Sequence, residues 1–327
     1  MKLTSSKGKM MKNESRLSPL AIFYSHGRTG IILILALAGG LFCRPVVPTA
    51  DAEREFPEIL EWREERLQSL QRDDGWLTLA GLFWLQEGEN SFGSDPENDL
   101  IFPAGKVPGF AGTFHVGAEG TVIEVFDGVP ITSEQQPVSS LKLRSDADGD
   151  PTMLETGSLT FYLIERDGQP AIRLKDRESA ILKEFQGLEY FPIDPRWRVQ
   201  ANFKRLESSV SINVPTAQGT TTQLELAGAL IFRIGEKTYR LDAIGEPDAE
   251  QLFIIFGDVT NGKETYSGGR FLTIPQPDAE GSAVIDFNLA YNPPCVFTPY
   301  ATCPLPPQQN RLPIRIEAGE KVYGDHH

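Results

Sequence analysis

From Phe92 onward the chain is built of short apolar runs at alternating positions, separated by Gly, Pro, Asn and Asp. Alternation is the period of a strand, and this punctuation belongs to turns. The clearest unit is 159–165, then Arg166-Asp167-Gly168, then 171–175, which predicts a hairpin with Asp-Gly at its tip. Further strands are expected at 198–206, 210–214, 221–226, 229–234, 237–244, 252–256, 270–274 and 283–287. No long helical period separates them, so the expected class is mainly β, an antiparallel sandwich or barrel. One stretch has a different period. Residues 53–72 place Phe56, Ile59, Leu60, Leu67 and Leu70 on one face of an amphipathic helix that stops at Asp73-Asp74-Gly75. Residues 76–85 follow as an apolar run interrupted by Gly81, either a buried strand or a short helix.

The first 52 residues obey another rule. Lys2, Lys7, Lys9, Lys12, Arg16 and Arg28 precede a charge-free run at 31–42, and Ala50-Asp51-Ala52 supplies small residues for a cleavage site. That is the order of a secretory leader. We expect export to the periplasm or the exterior, with the mature chain starting near Glu53. The alternative is an uncleaved membrane anchor at 31–47, near the short limit for a span. The chain then divides into 1–52 (signal peptide or anchor), 53–72 (helix), 73–185 (a β-sandwich-like region) and 186–327 (a second β region). Gly187, Pro192 and Pro195 mark the last boundary.

Composition narrows the functions. With 327 residues, 40% of them hydrophobic, a sizeable core is available. The net charge is −14, and the leader holds seven of the 31 Lys/Arg but only two of the 45 Asp/Glu. The body is therefore more acidic than the whole and repels phosphate backbones, which argues against a nucleic-acid partner. Contact with a membrane is expected only through the N-terminal segment, if it is retained. His26 lies in the leader and His326 and His327 in the tail, leaving His115 alone in the body. Ser-His-Asp catalysis and multi-histidine metal sites lose their ligands.

Two motifs lack a necessary residue. Gly257–Lys263 spells G-x-x-x-x-G-K after a strand, but Glu264 stands where Ser or Thr would hold magnesium, and Asp258 would face the phosphates. A polar turn is the better reading. Asp146, Asp148 and Asp150 alternate as in a calcium loop, with Pro151 in place of its glycine and Gly157 in place of its glutamate. No metal or cofactor is expected.

Residues 286–321 are rich in proline and cannot form a helix or a central strand. So long an irregular crossing inside a domain usually has a use. Cys295 and Cys303 are candidates for a disulfide in an exported chain, contributing roughly 2–3 kcal/mol for so short a loop. Free buried thiols and a thiolate metal site are the alternatives.

Residues 90–103 loosely resemble the opening of a forkhead-associated domain, which implies sandwich architecture for the N-terminal half. Ser94 replaces the phosphate-contacting arginine and His115 is what remains of the Ser-x-x-His element, so the resemblance does not extend to phosphopeptide binding. From about Gly75 to Lys321 the body resembles the domain-of-unknown-function 1684 family of bacterial and archaeal proteins. Residues 76–85, Gly262-Lys263-Glu264-Thr265-Tyr266, Gly268-Gly269-Arg270 and above all 286–321 carry that resemblance. It implies no established activity, but it does imply that the Gly-Gly-Arg strand and the proline-rich loop belong to one design.

Two functions fit that pair of segments. The first is capture of a small polar or carboxylate-bearing ligand by Arg270, Asn288, Asn292 and Arg311, beside Phe297 and the amide of Asn310. The second is a histidine-independent acid–base enzyme, a hydrolase or isomerase. Asp286 would be its base, Tyr291 or Tyr300 its proton donor, and Arg270 or Arg311 its anion stabiliser. Both require Asp286, Tyr291, Arg270 and Arg311 to converge on one concave face. The structural alternative is that the same residues only tie the loop down.

Overall fold

A computed structural model describes residues 55–246 and 249–324 of the chain; the expected leader and its cleavage site lie outside the described residues. The fold is mainly β, and among the described residues every pairing between the numbered strands is antiparallel except one. Strands are numbered along the chain. One sheet has the order β3 (Leu100–Ile101), β2 (Gly88–Gly93), β4 (Gly112–Gly117), β5 (Gly120–Val125), β8 (Ser140–Leu143), with β2 and β3 parallel. A second has the order β1 (Leu79–Trp84), β11 (Gln169–Asp176), β10 (Leu159–Arg166), β9 (Leu154–Thr156), β6 (Thr132–Ser133), β7 (Gln136–Pro137). The third is β16 (Arg270–Pro275), β15 (Gln251–Phe256), β14 (Lys237–Ile244), β13 (Thr221–Ile234), β12 (Arg198–Pro215), β17 (Ser282–Asp286).

The first two sheets share one core, as a sandwich requires. Phe92 is its centre, with ring centroids 4.8 Å from Phe114 and 5.3 Å from Phe102, which lies 5.3 Å edge-on from Phe161. The third sheet curls until its outer strands, β16 and β17, come back into contact, so it is nearly a closed barrel. Phe203, Phe232, Phe256 and Phe287 fill it, and Leu312, Ile316 and Ala318 from the irregular C-terminal stretch enter the same core. A smaller cluster joins the two β regions: Leu79 of β1 packs with Ile255, Phe271, Ala301 and Cys303.

The Asp-Gly hairpin forms as expected. Asp167 and Gly168 take φ of 53° and 73° between β10 and β11, the left-handed pair that a two-residue turn requires. The four strands read from 198–206, 210–214, 221–226 and 229–234 are in fact two long ones. β12 and β13 run through those gaps with register shifts between Arg205 and Val210 and between Leu226 and Gly228. Glu207 and Ser208 break the apolar alternation because they are exposed, while the backbone continues through a bulge. The far end of this hairpin is tied to the proline-rich loop, with Ala217 N–H donating to Cys303 O at 2.8 Å and Leu305 N–H to Pro215 O at 2.9 Å.

The amphipathic helix, α1 (Pro57–Gln71), buries a different stripe from the one expected. Ile59 and Leu70 are buried, but Leu60 is exposed, and Arg63 and Arg66 turn inward between them. Arg66 donates to Glu320 and to Asn292 O, both at 3.0 Å, and Arg63 to Phe191 O at 3.1 Å. Residues 76–85 resolve into a single helical turn at Trp76–Thr78 followed by β1. Among the described residues no helix is long and apolar enough to cross a membrane.

Candidate functional site

The asparagines of the proline-rich loop act as substitutes for a strand partner. Asn310 is fully buried; its Oδ1 accepts from Asp242 N–H at 2.7 Å, and its Nδ2 donates to Asp242 O and Ile255 O at 2.9 Å. Asn288 Oδ1 accepts from Asp194 N–H, and its Nδ2 donates to Asp194 O and Asp286 Oδ1. Asn292 donates its N–H to Glu320 and its Nδ2 to Lys321 O. A buried backbone interrupted by proline must satisfy its neighbours' polar groups in some other way, and these amides do so. None of the three presents a free amide face to solvent.

The charged groups expected to converge are kept apart. Arg270 is wholly buried and faces Asp258, not Asp286: Nη2 lies 2.9 Å from Asp258 Oδ2 and also donates to Ile316 O, while Nη1 donates to Ala318 O. Burial pulls the guanidinium below its ordinary pKa and Asp258 opposes that shift. Asp286 accepts from Asn288 N–H and Nδ2, with Arg198 at 3.5 Å. Tyr291 faces Thr273, 3.4 Å away, beneath the Arg66 guanidinium, and burial raises its pKa. Arg311 is exposed, in a shallow cleft with Ile212 and Pro306. Tyr300 packs beside Phe271 and Ala301, and Phe297 packs against Phe185 and Tyr323. The single concave face expected for Asp286, Tyr291, Arg270 and Arg311 is therefore not formed.

The Gly-Gly-Arg motif has a packing cause. Gly269 has φ of 86°, and a Cβ there would lie 2.3 Å from Pro306 Cγ and 2.6 Å from Phe256 O. The glycine admits the proline-rich loop against the barrel wall and leaves Arg270 pointing inward. The G-x-x-x-x-G-K stretch is a turn in which Asp258 accepts from Thr260 N–H at 2.8 Å and Ile316 N–H at 3.0 Å. Asp146, from the calcium-like triplet, is paired with Arg166 at 2.7 Å. Among the described residues no cluster of three His, Cys, Asp or Glu is placed to hold a metal ion.

A cleft of about 840 Å³ opens elsewhere, where three parts of the chain meet. One wall is the β10–β11 hairpin, with Glu165, Arg166, Asp167 and Arg173; the second is the outer half of the β12–β13 hairpin, with Asn213 and residues 221–224. The third is the proline-rich loop, with Pro294 and residues 301–304, and Phe271 and Trp76 complete the lining. Cys295 and Cys303 form a disulfide beside it, with Cα atoms 6.1 Å apart. Arg173 dominates the polar chemistry. It is only 4% exposed, donates from Nη2 to Thr302 Oγ1 at 3.1 Å, and has no hydrogen-bond partner at Nε. Burial holds its pKa below the ordinary guanidinium value, with Tyr162 and Asp146 opposing and Arg166 adding to the shift. An arginine keeps its charge through such shifts, so the unpartnered N–H is a buried cationic donor.

Sequence reasoning missed Arg173 because it occupies an outward position of an alternating strand, which ordinarily faces water. Here the second β region covers that face. A nearly closed antiparallel sheet packed on a sandwich, with a cleft between them, defines the class of protein. Residues 183–321 match the family model described as "Protein of unknown function (DUF1684)", and the chain belongs to that family. The match begins well after Gly75, so Trp76 and Arg173 lie before it. An uncharacterized protein of Haloarcula marismortui, solved by solution NMR, is 33% identical; the alignment covers 44% of this chain and 80% of that one, with a TM-score of 0.38. No curated protein matches the chain.

Proposed function

We propose that the protein binds a small carboxylate-bearing ligand in the cleft around Arg173. The observation that carries this reading is Arg173 itself, a nearly buried arginine that lines an 840 Å³ cleft and whose Nε has no hydrogen-bond partner. A buried donor without an acceptor costs about 1–3 kcal/mol, and such a group calls for an explanation. A carboxylate oxygen is the acceptor that guanidinium geometry matches best. The proline-rich loop and the strand after Gly-Gly-Arg still contribute, through Thr302, Cys303 and Phe271 rather than through Arg270 or Arg311. With Asp286 and Tyr291 holding separate partners away from this cleft, no observation favours the acid–base enzyme.

Thermal unfolding with acetate, benzoate and glucuronate tests the reading, against sodium chloride at equal ionic strength. A saturable rise in Tm with at least one carboxylate is expected, because a ligand bound only to the folded state stabilises it. Arg173→Lys should fold and lose the rise, since one ammonium cannot reproduce the fork. Thr302→Val, which leaves the guanidinium in place, guards against a misfolded lysine variant and should weaken the effect. No rise for any carboxylate, or an undiminished rise in both variants, contradicts the proposal.

A further inference from the structure

We infer that the ligand of this cleft is a sugar acid, a saccharide carrying one carboxylate, whose ring stacks on Trp76. The inference rests on the carboxylate reading above and adds the rest of the molecule. Trp76 lines the cleft yet is 39% exposed, while Leu77 and Thr78 directly after it are fully buried. The backbone that leads into it is held in place. A Cβ on Gly75 would lie 2.4 Å from Leu70 O, Thr78 Oγ1 donates to Gly75 O at 2.7 Å, and Lys175 donates to Asp74 O at 2.7 Å. A partly exposed indole among the residues that line a cleft offers a surface for stacking.

The Arg173 guanidinium carbon lies over the Trp76 ring, 6.0 Å from its centroid. A carboxylate on the edge of a six-membered ring stacked on that indole falls within reach of Arg173. Residues of the β12–β13 hairpin form the facing wall, with Asn213, Thr221 and Gln223 on one face of the hairpin and Thr222 beside Leu224 on the other, so that hydroxyl or amide groups border the cleft. Glu165 and Asp167, exposed on the rim, can accept from hydroxyls and repel any second negative charge. Arg166 adds no free cation there, since Asp146 holds it. Arg173 is the cation among the lining residues that has no carboxylate partner, which suits a ligand with a single carboxylate. The volume falls in the range that encloses drug-sized ligands, enough for a disaccharide.

Isothermal titration with cellobiouronic acid, a disaccharide with one carboxylate, tests the inference beside cellobiose, benzoate and acetate. Cellobiouronate should bind at least about tenfold more tightly than acetate or benzoate, and cellobiose should bind weakly. Trp76→Ala should weaken cellobiouronate about tenfold and leave acetate unchanged, whereas Arg173→Lys should weaken both. Trp76→Phe, which keeps an aromatic face, should retain most of the affinity. Acetate or benzoate binding in an Arg173-dependent way, with cellobiouronate no tighter, overturns the sugar acid and leaves the carboxylate site standing. Benzoate as the tightest ligand does the same in favour of an aromatic acid. Binding of none of them overturns both readings.

Discussion

Replacing Arg270 should unfold the C-terminal half before it affects any ligand. Arg270→Met keeps most of the stem and removes the charge. Asp258 then stays buried at 0% exposure without its cation, still accepting only from Thr260, Ile316 N–H and the rest of its turn. Removing one partner of a buried pair costs about 3–5 kcal/mol. The carbonyls of Ile316 and Ala318 each lose a donor as well, at roughly 1 kcal/mol apiece where water cannot replace it. A loss of about 5–7 kcal/mol is the expectation, or a fall in Tm of roughly 10–28 °C for a unit of this size. Urea denaturation at fixed pH measures it. In the Asp258→Asn background the same substitution should cost roughly 0.5–3 kcal/mol less, because no carboxylate is stranded. A loss below about 1 kcal/mol, or an equal loss in both backgrounds, would refute the buried pair as the lock on this segment.

Glu320 gives a pH signature. Burial raises its pKa, with Arg66 and Asn292 opposing. The folded state therefore holds the proton more tightly than the unfolded chain, and this group's contribution to stability falls as pH rises from the ordinary glutamate range through the folded value. The stability of the wild type relative to Glu320→Gln should decline over that window in urea melts; an increase would reverse the sign. Cys295→Ser should lower stability by roughly 2–3 kcal/mol under non-reducing conditions, and thiol titration of the denatured, unreduced pair should find none. Gly269→Ala should destabilise by more than about 1 kcal/mol, since φ of 86° and the contact with Pro306 both resist a Cβ, and chemical denaturation reads it directly.

The class of fold was legible because its cause is local. Alternation along 159–175 and 221–244 and the Asp167-Gly168 turn carry enough information to fix strands and a hairpin. The bulges in β12 and β13 were not legible, since Glu207 and Ser208 resemble a loop and only cross-strand bonding keeps them in a sheet. For α1, long arginine side chains sit on the buried face because Glu320 and two carbonyls, far away in sequence, await them. The loop at 286–321 is recognisable as important, and it does line the cleft. Its conspicuous residues Asn288 and Asn310, like Arg270 on the strand β16, hold the fold together, because an irregular buried backbone needs polar partners as urgently as a ligand does. Arg173 and Trp76 carry no such local mark. Their significance comes from the second β region closing over a sheet face that the first region alone would leave to water.

The most direct measurement is the Nε–H resonance of Arg173 in a ¹⁵N-labelled chain, assigned by its loss in Arg173→Lys and followed during titration with acetate against a chloride control. A carboxylate accepting from that unpartnered donor should shift the resonance saturably, with Arg311 and Arg270 serving as exposed and sealed references. A resonance that moves equally in acetate and chloride, or that stays still while Arg311 responds, would contradict the assignment of the Arg173 cleft as the binding site.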